Sequence, residues 1–305
     1  MLILVKTGGI LKRFTALLSL TILTAASFVS AADNSSPALD LLKESAAGFS
    51  FEAAPAVQPP LLSRLFELPE SDVNGEELFS YLHDATAPSD RAVLSYDASR
   101  KFMYSKADNT GCDNGPGIKT FYSLVCVPGS FSSGNSYHEN GDSNGDGVPG
   151  DFINAEHIWP QGYFNSALPM VADLHHLAPT FSVPNGRRGN LKFAKVTGPV
   201  YRTSAGSMLG KEGFEPTDES KGNVARAMLY FMVRYHDKSI RQGMDYNSFW
   251  NATVPLLLKW NTQDQPDAAE RRRNDLVEEF QGNRNPFIDH PELADRIGEE
   301  VFRSH

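Results

Sequence analysis

Apolar positions recur at helical spacing in several separated stretches of the chain. In residues 75–83 they fall at Leu78, Tyr81 and Leu82, which predicts a short helix. In residues 221–236, Val224, Ala227, Met228, Phe231 and Tyr235 share one face. This is the clearest helix of the chain, and its stripe reads as core. Residues 253–261 and 266–280 read as further helices. The second carries Asp267 and Glu270 in its first turn, where the positive end of the helix dipole favours acid. Residues 121–127 (FYSLVCV) are a strand-type run, and Phe152–Ile153 leads into a short strand through Glu156 and His157. Residues 132–150, rich in Gly, Ser and Asn, read as a loop. Residues 185–190 read as a polar turn before apolar character resumes at Leu191.

The N-terminal pattern is of another kind. Lys6, Lys12 and Arg13 precede a mostly apolar run from Phe14 to Phe28, and Val29-Ser30-Ala31 follows as a small-residue cleavage site. Residues 1–31 are therefore expected to be a signal peptide, too short and too rich in Ser and Thr to span a membrane. The expected destination is secreted or periplasmic, with no stable membrane partner. Residues 32–73, interrupted by Pro55, Pro59, Pro60 and Pro69, read as a partly disordered extension, and residues 74–305 as the folded domain.

Export gives the cysteines meaning. Cys112 and Cys126 are the only two, so a single intramolecular disulfide is expected. The formal charge of the 305-residue chain is −9, from 28 basic and 37 acidic residues. Without the three basic residues of the leader it becomes −12. Such a balance excludes a broadly basic surface for long-footprint nucleic-acid binding. Any phosphate recognition must be local and helped by a bound cation.

Candidate chemistry concentrates in two segments, NAEHIWPQ at 154–161 and DLHHLAPTFSVPNGRRGNLKF at 173–193. Glu156 and Asn185 offer oxygen ligands of the kind Mg²⁺ prefers. His157 can take a proton from water near neutral pH. Arg187, Arg188, Lys192 and Lys195 form the densest basic cluster and read as phosphate contacts, whereas Arg271, Arg272 and Arg273 read as structural or peripheral. His175 and His176 read as packing residues that support the site. Asp142, Asn144, Asp146 and Gly147 match the first half of a calcium loop. Ile153 stands where the closing glutamate would be, and Asp151 is a substitute, so structural Ca²⁺ and a plain polar loop are both open here.

With SYDASRKFMY, FEPTDESKGNVARAMLYFMVRY and QGNRNPFIDHPEL, these segments resemble the endonuclease I family of secreted and periplasmic bacterial nucleases, over roughly residues 74–295. The resemblance implies an α+β fold, with mixed helices, a small antiparallel sheet and a ββα-metal (His-Me finger) site. It implies Mg²⁺ on Glu156 and Asn185, His157 as general base and Arg188 orienting the phosphate. The chain departs from the family in Pro184, inserted before Asn185, and in lacking the cysteine-rich insertion of periplasmic members.

The expected function is a monomeric, Mg²⁺-dependent endonuclease. It cuts DNA, with RNA a second candidate substrate, with little base preference, and leaves 5′-phosphates. His157 Nε2 is expected to face the attacking water while a backbone carbonyl holds Nδ1. The alternatives are a secreted zinc hydrolase built on His157, His175 and His176, and a non-catalytic calcium-binding module.

Overall fold

The computed structural model describes residues 70–87 and 94–305. The expected leader, and the extension up to residue 69, lie outside the described residues. Helix α1 (Gly75–Ala85) buries Leu78, Phe79 and Leu82. Tyr81, expected on the apolar face, lies at the surface instead. Helix α2 (Tyr96–Phe102) starts where the Ser95 hydroxyl accepts the Ala98 N–H, and runs on into a wider turn at Met103–Ala107.

Strands β1 (Gly117–Lys119) and β2 (Cys126–Pro128) pair antiparallel, with Lys119 opposite Cys126. The strand expected over residues 121–127 is confined to its last two residues. Leu124 adopts φ 54°, and the Thr120 hydroxyl and carbonyl close a turn onto Val125 and Leu124. That turn sends Tyr122 inward to full burial. Cys112 and Cys126 form the expected disulfide.

Strand β3 (Ile153–His157) pairs with β4 (Leu177–Phe181) in unbroken antiparallel register, from Ile153 opposite Phe181 to His157 opposite Leu177. Helix α3 (Ser182–Arg188) follows β4 directly. This corrects the expected turn at 185–190. The Asp151 carboxylate accepts the Val183 N–H at 2.9 Å and the Ser182 hydroxyl, closing the first turn from outside, and Gly189 at φ 51° ends the helix. A three-stranded antiparallel sheet follows, β5 (Tyr201–Arg202), β6 (Met208–Gly210) and β7 (Gly213–Glu215).

Helices α4 (Lys221–Tyr235), α5 (Val254–Gln263) and α6 (Ala268–Gln281) complete the frame, with short helical turns at Pro286–Asp289, Leu293–Ile297 and Glu299–Ser304. The fold is thus mixed helices with small antiparallel sheets. The stripe predicted on α4 is buried, but so is nearly every other residue from Val224 to Val233. Phe231 stacks on Trp159 at 5.0 Å, and Trp250 leans on the same indole. Arg226 and Glu270 form a buried ion pair that ties α4 to α6. A second, smaller core collects Tyr104, Ile118, Tyr137, Ile153, Leu177 and Phe181. The β3–β4 hairpin rests one face on it and offers the other to α3.

The disulfide closes a loop with a sequence separation of 14 residues. Cys112→Ser is expected to cost about 3 kcal/mol on the loop-entropy argument, read from urea midpoints of the oxidised wild type and the variant. A loss below about 1 kcal/mol would show that the loop gains little from the bridge.

Candidate active site

Side chains alternate faces along a strand, so Asn154 and Glu156 project from one side of β3 and Ile153, Ala155 and His157 from the other. Helix α3 lies on the first side. Its residues Asn185 and Arg188, three apart, face the strand together. Asn185 Nδ2 donates to Asn154 Oδ1 at 2.7 Å and to the Ala155 carbonyl at 3.2 Å. Arg188 Nη1 donates at 2.8 Å to Glu156 Oε1 and to the His157 carbonyl, and Nη2 donates at 2.6 Å to the Ile158 carbonyl. Phe193 covers the guanidinium at 4.5 Å.

These contacts turn Arg188, expected to orient a phosphate, onto Glu156 and the adjoining backbone. The side chain is 1% exposed, and the one nitrogen without an acceptor, Nε, is buried as well. Its charge is spent on holding Glu156. The buried Tyr122 hydroxyl donates to the same Oε1 at 2.8 Å. Burial pushes the Glu156 carboxyl pKa upward, against the pull of Arg188, Tyr122 and the His157 backbone N–H. Arg187, by contrast, is exposed, its guanidinium 5.5 Å from the Tyr201 ring, and Lys192 is half-buried. Lys195, the remaining cation of the cluster, is exposed as well, but its ammonium pairs with Glu215 at 2.7 Å.

His157 points to the opposite side of the strand, 4% exposed, among Tyr96, Phe164 and His176. Its Nε2 lies 3.2 Å from the Val171 carbonyl. A carbonyl only accepts, so Nε2 carries the proton and Nδ1 keeps the lone pair. A backbone acceptor was expected; the nitrogen it holds is the other one. Burial, and then the neighbouring His176, drives the His157 pKa down to about 3, so the ring is neutral through the physiological range.

The segment carrying Val171 is fixed by Asp173. Its carboxylate accepts from the hydroxyls of Tyr230 and Tyr235 at 2.9 and 2.8 Å, from Gln281 at 2.8 Å and from the His175 N–H at 2.9 Å. His175 and His176 direct Nε2 to the carbonyls of Asn283 and Met170. The three histidines of the zinc reading therefore bind three different carbonyls. Among the described residues, no group of three His, Cys, Asp or Glu side chains is arranged to hold a metal ion.

Tyr122, Asn154 and Val171 escaped the sequence reading. Only Asn154 carried a usable signal, two residues before Glu156 on a predicted strand.

A family model described as Endonuclease I matches residues 75–292. The chain is 41% identical over 165 residues to the extracellular ribonuclease of Bacillus amyloliquefaciens, covering 51% of this chain and 56% of that protein. It is 29% identical over 124 residues to an extracellular deoxyribonuclease of Aeromonas hydrophila, covering 39% and 50%. The endonuclease-1 of Buchnera aphidicola is 29% identical over 121 residues, covering 38% and 45%. The chain thus spans about half the length of the curated relatives it matches.

Two outcomes follow from this geometry. Arg188→Met leaves a buried carboxylate unpaired and is expected to destabilise the fold by roughly 3–5 kcal/mol in denaturant melts; a loss under about 1 kcal/mol would contradict the pairing. Burial lowers the His175 and His176 pKa values from 6.5 to about 4. The unfolded chain therefore binds protons that the folded chain refuses, and stability falls as the pH drops from about 6.5 toward 4. With His157, whose pKa burial lowers further still, three groups give a slope of up to roughly 4 kcal/mol per pH unit, read from urea midpoints across that window. A flat profile would show the rings to be open to water.

Proposed function

Since the chain belongs to the endonuclease I family, we propose that it is an exported nuclease that hydrolyses DNA and RNA phosphodiesters with one Mg²⁺ ion and leaves 5′-phosphate ends. One observation carries this reading. Helix α3 presents Asn185 beside the strand that carries Glu156, and the next residue of that strand is a neutral imidazole locked by a carbonyl.

The residues fit a hard cation. Tyr122 and Arg188 both occupy Oε1 of Glu156, which leaves Oε2 without a side-chain donor. Asn185 has its amide nitrogen engaged twice, and its Oδ1 accepts no hydrogen bond among the described residues. A carboxylate whose ionisation is opposed by burial gains most from a divalent neighbour. Glu156 and Asn185 would hold the ion, and in this reading the hairpin and α3 form the ββα-metal unit. When bound, Mg²⁺ supplies positive charge to the phosphate and to the departing oxygen.

The remaining chemistry belongs to the chain. His157 is the last residue of β3 and the chain bends at Ile158 and Trp159, so in this reading the ring reaches round the strand end to the ion's side, where its Nδ1 takes the proton of the attacking water and the Val171 carbonyl steadies the imidazolium that results. Arg188 and Tyr122 orient the Glu156 carboxylate. Arg187 and Lys192 meet phosphates near the surface. Such contacts address the sugar–phosphate backbone, so base preference is weak.

Both substrates are retained because two relatives, at 41% and 40% identity, are named extracellular ribonucleases, and others at 28–29% are named deoxyribonucleases. Relatives named extracellular or periplasmic support export.

Plasmid nicking and RNA digestion by metal-stripped protein, titrated with Mg²⁺, test the reading. EDTA is expected to abolish both activities. His157→Ala is expected to lower kcat by about 10²–10⁴-fold while calorimetry still shows Mg²⁺ binding, and Glu156→Gln to weaken that binding. Activity that survives EDTA, or a His157→Ala enzyme close to wild type, would sink it.

A further inference from the structure

The acidic loop before β3 plays no part in the proposed reaction. Its base is closed by the Gly150 N–H on the Gly141 carbonyl at 2.7 Å. Asp142 accepts the backbone N–H groups of Asp146 and Gly147, each at 3.0 Å. Gly147 turns at φ 88°, with nothing within 4 Å of where a Cβ would stand, so backbone conformation rather than space calls for glycine. Asp146 accepts the Val148 N–H at 2.9 Å and the Tyr201 hydroxyl at 3.2 Å.

Beneath the loop, Glu139 is 6% exposed and accepts from Ser143 Oγ and the Asp151 N–H, both at 3.4 Å. Burial raises its pKa, the backbone N–H groups of Asp151 and Asn144 oppose the rise, and the charges of Asp146 and Asp151 add to it. Among the described residues, none of Glu139, Asp142, Asp146 and Asp151 pairs with a lysine or arginine within the ion-pair distances found elsewhere in the molecule.

Asn144 supplies the independent observation. It sits between Asp142 and Asp146 at the middle position of the motif and is 0% exposed, yet neither Oδ1 nor Nδ2 has a partner. Its own carbonyl is taken by the Ser204 N–H. A buried amide with both ends unmatched is costly, and in native proteins such groups mark a water or an ion.

We propose that the loop at residues 142–150 binds Ca²⁺ through the side-chain oxygens of Asp142, Asn144 and Asp146 and the main-chain carbonyl of Val148, with the Glu139 carboxylate beneath the loop adding negative charge rather than a bond to the ion. No three carboxylates converge among the described residues. The amide and carbonyl oxygens are therefore integral to the set, and a flexible collection of oxygens suits Ca²⁺ better than the smaller, strictly octahedral Mg²⁺.

The site supports structure rather than reaction. Asp151, expected as a ligand, lies outside the set because its carboxylate holds the first turn of α3, accepting from the Ser182 hydroxyl and the Val183 N–H as well as from the Phe152 N–H. A cation in the loop would brace the point from which both β3 and α3 depart.

The test uses the full chain carrying Glu156→Gln, so that the proposed catalytic ion is handicapped and the result is independent of nuclease activity. Calorimetry is expected to show one equivalent of Ca²⁺, with a rise in Tm. Asp146→Asn and Asn144→Ala are each expected to weaken binding at least about tenfold. No Ca²⁺ binding, or binding unchanged in both variants, overturns the proposal. Terbium offers a second readout that needs no change in the ligands. Tyr201, bonded to Asp146, should sensitise Tb³⁺ emission that Ca²⁺ displaces and Mg²⁺ does not, and Tyr201→Leu should lose it. Emission that persists undiminished in Tyr201→Leu places the ion elsewhere and overturns the proposal as well.

Discussion

The ion pair between Arg188 and Glu156 is the constraint on which the candidate site depends. Two charges withdrawn from water carry a desolvation cost that their attraction alone does not offset. Here the cost is met by geometry. Glu156 also takes the Tyr122 hydroxyl, and Arg188 also serves two carbonyls of the strand it faces. The pair therefore acts as a register pin rather than as a simple stabiliser. It admits one placement of α3 on β3, and that placement sets Asn185 against Asn154 and Ala155. A seven-residue helix is too short to hold itself together, and α3 owes its existence to this pin and to Asp151 at its first turn.

Consecutive positions on one strand give the site two unlike environments. The Glu156 side is polar and cationic: Arg188, Tyr122 and the His157 N–H oppose the rise that burial forces on the carboxyl pKa. The His157 side is aromatic, and the ring there is neutral because its surroundings offer nothing to stabilise a proton except one carbonyl. A period of two residues thus separates an acid from a base without any change in the backbone path.

The long α4 was legible because its apolar spacing is regular and its ends are polar. Strand β3 was legible because Phe152 and Ile153 precede a break at Pro160. Helix α3 was not, since Pro184 and Asn185-Gly186 resemble a turn, and what makes the segment helical is a carboxylate some thirty residues earlier in the chain. The strand read over 121–127 failed for a related reason: burial of Tyr122 beside Glu156 outweighs the β-propensity of its neighbours. Within the site, Glu156, His157 and Asn185 could be singled out by residue type and order. The depth of Arg188 could not, because a sequence shows charge without burial. Nor could the Val171 carbonyl, since every residue has one and only the fold selects which matters.

Tyr230 and Tyr235 lie in the second half of the longest buried helix, Tyr235 as its last residue, yet each sends its phenolic oxygen to Asp173. Loss of either oxygen through a change to phenylalanine would keep the ring, the helix and nearly all of the packing. It would be felt instead along the polypeptide at residues 170–176, whose shape decides which imidazole nitrogen is tied down. Apparently silent drift in the hydrocarbon interior is thereby wired, one hydroxyl at a time, to the protonation chemistry at the far end of the hairpin.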